Sequence, residues 1–215
     1  MELDRIQRAS GLTGCMVELG RADARSAVLL GHLVRPPEER LVIVDADGDD
    51  GINQEFATQY ARFHAHAPEV RSRAAATRGH TPDIDDQIHG CRIVHLNGGG
   101  ADDAVSRDLL TARKLLSPGG VVAVSDAPAA WGVVLAEGLV PLLVSDATIY
   151  GVLQPSDAAW ADAVTQWAGA QPRMQTSEES LGGWSFLRLW EKPRADVPPD
   201  DLVRIPTLEE LEERP

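Results

Sequence analysis

The chain has 215 residues, 43% of them hydrophobic and 25% charged. That is enough for one domain with a sizeable core. A formal net charge of -13 repels phosphate backbones, so nucleic acid is not an expected partner, and the acidity otherwise serves solubility. No apolar run reaches the roughly 18 residues of a bilayer span, and the acidic start Met1-Glu-Leu-Asp-Arg5 lacks a secretory apolar segment, so a cytoplasmic protein without membrane contact is expected.

Short apolar runs alternate with helical stretches. Met16–Gly20 reads as a first strand, followed by an amphipathic helix over Asp23–Val34 that Pro36-Pro37 stops. Leu41–Asp45 is a second strand. Asn53–Ala67 is predicted helical, with Phe56, Tyr60 and Phe63 along one face. Val70–Thr77 is a third strand, and Arg92–Leu96 a fourth. Asp102–Leu116 is a helix ended by Ser117-Pro-Gly-Gly120, and Val121–Ser125 a fifth strand. Continuous apolar strands alternating with helices predict a Rossmann-like, doubly wound, mostly parallel α/β sheet.

After Pro128 the pattern changes. Trp131–Gly138 reads as a helix, Val140–Leu153 contains strand-like residues, and Ser156–Ala168 is a helix with Ser156 as N-cap. Trp184–Trp190 alternates as a strand, so two late strands around a helix are expected as an antiparallel edge pair near the C-terminus. Residues 1–192 form one domain, and 193–215 an acidic, Pro-rich tail. The tail is expected to be mostly extended, with a helical turn at Leu208–Leu211. Cys15 and Cys91 each open an apolar run and are expected as buried thiols. Without a CxxC or a Cys/His cluster, no zinc site is expected. Trp160, Trp167, Trp184 and Trp190 pack between elements or form the face of a homodimer.

Ligands of open α/β sheets bind beyond the carboxyl ends of the strands. Those ends are Glu18-Leu-Gly20, Asp45-Ala-Asp47, the region of Gly79-His80, His95-Leu-Asn97-Gly98 and Ser125-Asp126. An acid after the second strand can accept hydrogen bonds from both ribose hydroxyls of a nucleoside cofactor. Asp45 is the candidate and Asp47 the second; the other reading is a polar turn. Gly20 either lets the backbone approach a cofactor or makes the tight strand-to-helix turn. With one glycine and no G-x-G-x-x-G, a dinucleotide pyrophosphate on the first helix is disfavoured.

Val17-Glu-Leu-Gly20 before a helix resembles motif I of the class I S-adenosylmethionine-dependent methyltransferases. Val42-Ile-Val-Asp45-Ala-Asp47 looks like their second motif, with Asp45 at the ribose position. The segment Arg92–Gly138 is similar to the cephalosporin-hydroxylase-like and macrocin-type O-methyltransferase branch. There a strand ends in His-Ile-Asp-Gly-Asp-His-Ser-Tyr, then come a helix, Pro-Gly-Gly, a strand and Asp-Asp. His95, Gly98, Ala104, Val105, Asp108, Leu109, Pro118, Gly119, Gly120 and Asp126 fall on that pattern. The resemblance spans roughly residues 12–190.

The chain departs from this branch at its metal and base positions. Asn97 stands for a metal-ligating Asp, Gly99 and Gly100 for the following Asp and His, and Ser125 for the first Asp of Asp-Asp. Hard divalent cations want several carboxylate oxygens, so no metal is expected. The resemblance implies S-adenosylmethionine as cofactor, held by Glu18, Gly20, Asp45, Asp47, Gly79, Asn97 and Gly98. Asp126, Asn97 and His95 would serve catalysis on a small-molecule hydroxyl or amine. His80 or His95 could replace the missing base, although His95, inside an apolar strand end, also suits a core role. The alternative is a non-catalytic protein of the same fold that binds a ligand or a protein partner. A nicotinamide-dependent oxidoreductase is a third, weaker reading.

Overall fold

The computed structural model describes residues 2–20, 24–45, 58, 60–72, 88–97, 102–125, 134, 138–145, 148–153, 159–181 and 183–192. In chain order the elements are α1 (Glu2–Ala9), β1 (Met16–Leu19), α2 (Ala24–Gly31), β2 (Leu41–Asp45), β3 (Glu69–Ser72) and β4 (Cys91–Asn97). They continue with α3 (Asp102–Leu115), β5 (Leu116–Ser125), β6 (Leu139–Ser145), β7 (Thr148–Leu153), α4 (Ala159–Gly169), β8 (Met174–Leu181) and β9 (Trp184–Glu191). Nine strands form one sheet in the order β3-β2-β1-β4-β5-β7-β6-β9-β8. The first five are parallel, and the order reverses between β1 and β4.

Alternation along the strands puts a helix on each face. Val17, Leu19, Val42, Val44, Val94 and Leu96 pack with Val105, Leu109 and Ala112 of α3. The intervening Met16, Ile43 and Ile93 pack with Ala27 and Leu30 of α2. All of these are buried, which is why β1, β2 and β4 read as unbroken apolar runs.

The expected sheet is present, with local differences. Val140–Leu153 is two antiparallel strands, β6 and β7, and β7 inserts antiparallel against β5. The antiparallel edge pair is β8 with β9, whereas β9 runs parallel to β6. Ser117–Gly120 lies inside β5 as a bulge: Leu116 pairs with Cys91, and the ladder resumes at Val121 with Ile93. Tyr60 is buried as expected, but Phe63 is 61% exposed and does not share its face. Trp160 enters the core beside Val164 and Leu187, while Trp184 stays 44% exposed. Phe56, Trp131, Ser156 and the tail from 193 lie outside the described residues.

Two elements go beyond the sequence reading. The strand β8, MQTSEESL, is polar because it is an edge, and its Glu179 pairs with Arg188 of β9 at 2.9 Å. The helix α1 buries a polar face. Asp4 and Gln7 reach Arg92, which is fully buried at the start of β4. Gln7 Nε2 also donates to Arg92 O at 2.6 Å, opposite the β5 bulge. Glu39 completes the cluster, with Oε2 accepting from Arg92 Nη2 at 3.0 Å. Cys15 and Cys91 are not separate thiols: adjacent where β1 and β4 begin, with Cα atoms 4.5 Å apart, they are joined as a disulfide. Among the described residues no helix is long and apolar enough to cross a membrane.

Candidate active site

The parallel register brings the strand ends to one edge of the sheet. Leu19 pairs with both Val44 and Leu96, Asp45 with Ser72, and Asn97 with Ser125. Gly20 follows β1 with φ of +107°, and its N–H donates to Val44 O at 3.1 Å. A Cβ there would stand 3.1 Å from Asn97 O, so both the conformation and the close approach of β4 call for glycine. Asp45 closes β2 at the same edge. Asp126, Asp47, Gly79, His80 and Gly98 lie outside the described residues, although Asp126 directly follows Ser125.

At and just behind the tips, a chain of polar side chains crosses four strands. Glu18 and His95 are register partners on β1 and β4, and their side chains share the α2 face. The Glu18 carboxylate is fully buried. Its Oε1 accepts from Ser26 Oγ of α2 at 2.8 Å, and its Oε2 lies 2.8 Å from His95 Nδ1. A carboxylate oxygen only accepts, so Nδ1 is the donor in this contact. In the neutral imidazole Nε2 then keeps its lone pair and accepts from Ser125 Oγ at 2.9 Å. Thr148 Oγ1 of β7 stands 3.0 Å from the same Oγ and closes the chain as its donor.

These groups open onto a cleft of about 600 Å³ between α2 and the sheet. His95, Asn97, Ser125, Thr148 and Tyr150 form its polar floor, while Leu29, Leu30 and Leu33 of α2 supply an apolar wall. Leu29 is 67% exposed there, an apolar side chain without cover. His32 lines the far side, edge-on to the His64 ring with centroids 4.5 Å apart. Burial pushes the His64 imidazole down from its ordinary value, with the charges of His32 and His66 acting the same way against its hydrogen bond to Val28 O. Burial also pushes the Tyr60 hydroxyl, 2.7 Å from His66 Nε2, up to about 12.

Among the described residues no three His, Cys, Asp or Glu side chains stand together as metal ligands. At the metal positions of the resembled branch the sequence keeps the Asn97 amide and the single carboxylate of Asp126, with Ser125 in place of the other acid, a poor set for a hard divalent cation. Sequence reasoning singled out Glu18, Gly20, Asp45, Asn97 and His95, and the structure places all five at or next to the tips. It did not find Ser26, Thr148 or Tyr150. Their only sequence signal is a polar residue at a strand end or in the first turn of a helix.

Residues 17–127 match a family model described as a methyltransferase domain, which is more than half of the chain. The chain belongs to this methyltransferase family. The matched stretch runs from β1 to the residues after β5 and includes every strand tip described above. Three solved structures are similar to this methyltransferase domain at low identity. Cofactor-bound Rv0187 from MTB is 17% identical, with a TM-score of 0.41 over 85% of this chain and 74% of that one. The O-methyltransferase TomG from Streptomyces achromogenes, in complex with SAM, is 17% identical, with a TM-score of 0.44 over 84% and 72%. A putative O-methyltransferase from Klebsiella pneumoniae is 16% identical, with a TM-score of 0.38 over 89% and 78%. No curated protein matches the methyltransferase domain.

Proposed function

We propose that this chain is an S-adenosylmethionine-dependent methyltransferase acting on a small-molecule hydroxyl or amine. Family membership supports the reaction class. The observation that carries the reading is the register that gathers Gly20, Asp45, Asn97 and Ser125 at one sheet edge, beside an open cleft.

The donor set suits the cofactor. Asp45 offers two carboxylate oxygens for ribose hydroxyls, with Asp47 next to it, and Gly79 and Gly98 follow the neighbouring strands without bulk. When bound, the cofactor supplies an electrophilic methyl on a sulfonium. The protein's part is to hold the acceptor in line with it, which is largely proximity and orientation. Asn97, Asp126 and His95 surround the acceptor position in this reading. Glu18 acts from behind the site, since both of its oxygens are engaged by Ser26 and His95.

Isothermal titration of the full chain with S-adenosylmethionine and S-adenosylhomocysteine tests the reading. Saturable heat with both is expected, and no heat with either removes it. Transfer of a labelled methyl to any acceptor of a phenol, alcohol and amine panel, lost in Asp126→Ala, rules out the non-catalytic alternative.

A further inference from the structure

A hydroxyl acceptor must lose a proton as its oxygen attacks, and the resembled branch's metal and base positions hold Asn97, Ser125 and Gly100 here. His95 has the geometry to take that proton. Its Nδ1 is committed to the buried Glu18 carboxylate at 2.8 Å, so its Nε2 is the basic nitrogen and points to the cleft. An imidazolium formed there would lie against a carboxylate that has no exposure to water. Ser125 already shows the recognition in miniature: an alcohol hydroxyl 2.9 Å from Nε2, with Thr148 3.0 Å away as its alternative partner.

The cleft also selects the acceptor. Its described lining includes no Asp or Glu, and the apolar wall of Leu29, Leu30 and Leu33 favours an acceptor with a neutral, apolar body. Resting on the transferase reading above, we propose that His95 is the general base for a neutral, largely apolar hydroxyl compound, such as a phenol, bound in the α2 cleft. Glu18 is its positioning residue. The acceptor hydroxyl takes the place of Ser125 Oγ at Nε2, and Ser125 turns to Thr148. The acceptor oxygen forms the new O–C bond as the C–S bond of the sulfonium breaks, its electron pair going to sulfur. The hydroxyl proton goes to Nε2.

The test uses 4-nitrophenol, whose phenolate is yellow, with the full chain in a mildly acidic buffer where the free phenol is mostly neutral. Mixing is expected to produce the yellow band saturably, with or without S-adenosylhomocysteine. His95→Gln should lose it roughly tenfold or more in affinity. Glu18→Gln should weaken the band by removing the partner of Nδ1. Ser125→Ala, which removes the competitor for Nε2, should tighten binding by roughly threefold. Far-ultraviolet circular dichroism checks that each variant is folded. Should His95→Gln not fold, the ring protons of His95 in the wild-type chain give the same answer, shifting to imidazolium positions as 4-nitrophenol binds.

Binding of the neutral phenol, a yellow band indifferent to His95, or no binding at all overturns the proposal. If the band follows His95 while neither cofactor form gives heat, the base stands and the transferase reading falls. If the cofactor gives heat but the band is indifferent to His95, the base falls and the transferase reading stands.

Discussion

Arg92 Nη1 donates to Asp4 Oδ1 at 2.9 Å, an ion pair that holds the first helix against the start of the fourth strand. The same guanidinium meets Glu39, so one buried cation joins α1, the segment before β2, and the sheet. Its Nε also stands 2.9 Å from Glu39 Oε1, but without hydrogen-bond alignment. This second contact is therefore mainly electrostatic.

Removing that cation takes a buried partner from both Asp4 and Glu39, leaving Arg8 and Arg35 as their remaining ion pairs. Arg92→Met is therefore expected to cost about 3–5 kcal/mol, read as a drop in the urea midpoint. Asp4→Asn, which keeps the shape and one acceptor, should cost less. An Arg92→Met midpoint equal to wild type would show that the cluster adds nothing to stability.

At the strand tips, Gly20→Ala is expected to destabilise by about 1–3 kcal/mol, because φ of +107° is strained for alanine and its Cβ would press on Asn97 O. The same change displaces the β1–α2 turn, so heat with S-adenosylhomocysteine should fall. Thermal melting and titration on one sample measure both. A stable variant with intact binding would contradict the packing described here.

His64 links acidity to stability. Its imidazole titrates below the ordinary histidine value in the folded chain, so the unfolded chain holds more protons in the window between the two. Stability contributed by neutral His64 is present above the unfolded value of about 6.5 and declines as pH falls through that window. The difference in Tm between wild type and His64→Asn should therefore move against the wild type on acidification across it. A difference constant with pH would refute the assignment.

The Cys15–Cys91 bridge closes a loop of 76 residues in sequence separation. In the loop-entropy view it adds about 2–4 kcal/mol by constraining the unfolded chain. Thiol titration of the unreduced, denatured chain should find no free cysteine, and a strong reductant should lower Tm. Two free thiols in that titration would show that the bridge is not formed.

Much of the site was legible because strand ends are where an α/β sheet exposes its loops. Glu18, Gly20, Asp45 and Asn97 could be placed by counting along apolar runs, without knowing any contact. The role of His95 could not be read that way. In sequence it is a histidine inside RIVHL, equally suited to the core. Only the pairing of β1 with β4 shows that it faces Glu18, a residue 77 positions away in the chain. Ser125 is read from sequence as a lost acid, whereas in the sheet it is a hydroxyl aimed at Nε2.

Local patterning was enough to specify the parallel half of the sheet, because strands buried on both faces must be apolar throughout and their helices must alternate. It was blind to α1, whose short buried face sets Asp4 and Gln7 beside Leu3, and to β8, whose edge position requires polar residues. The helix α1 owes its place to Arg92, distant in sequence, and β8 to its backbone ladder with the next strand, β9. Hydrophobic periodicity records only how a segment meets apolar surface, so an element docked by charge or by backbone ladder leaves no trace in it. Tertiary structure alone decided which polar groups meet, and with them the cleft, the bridge and the orientation of the His95 imidazole.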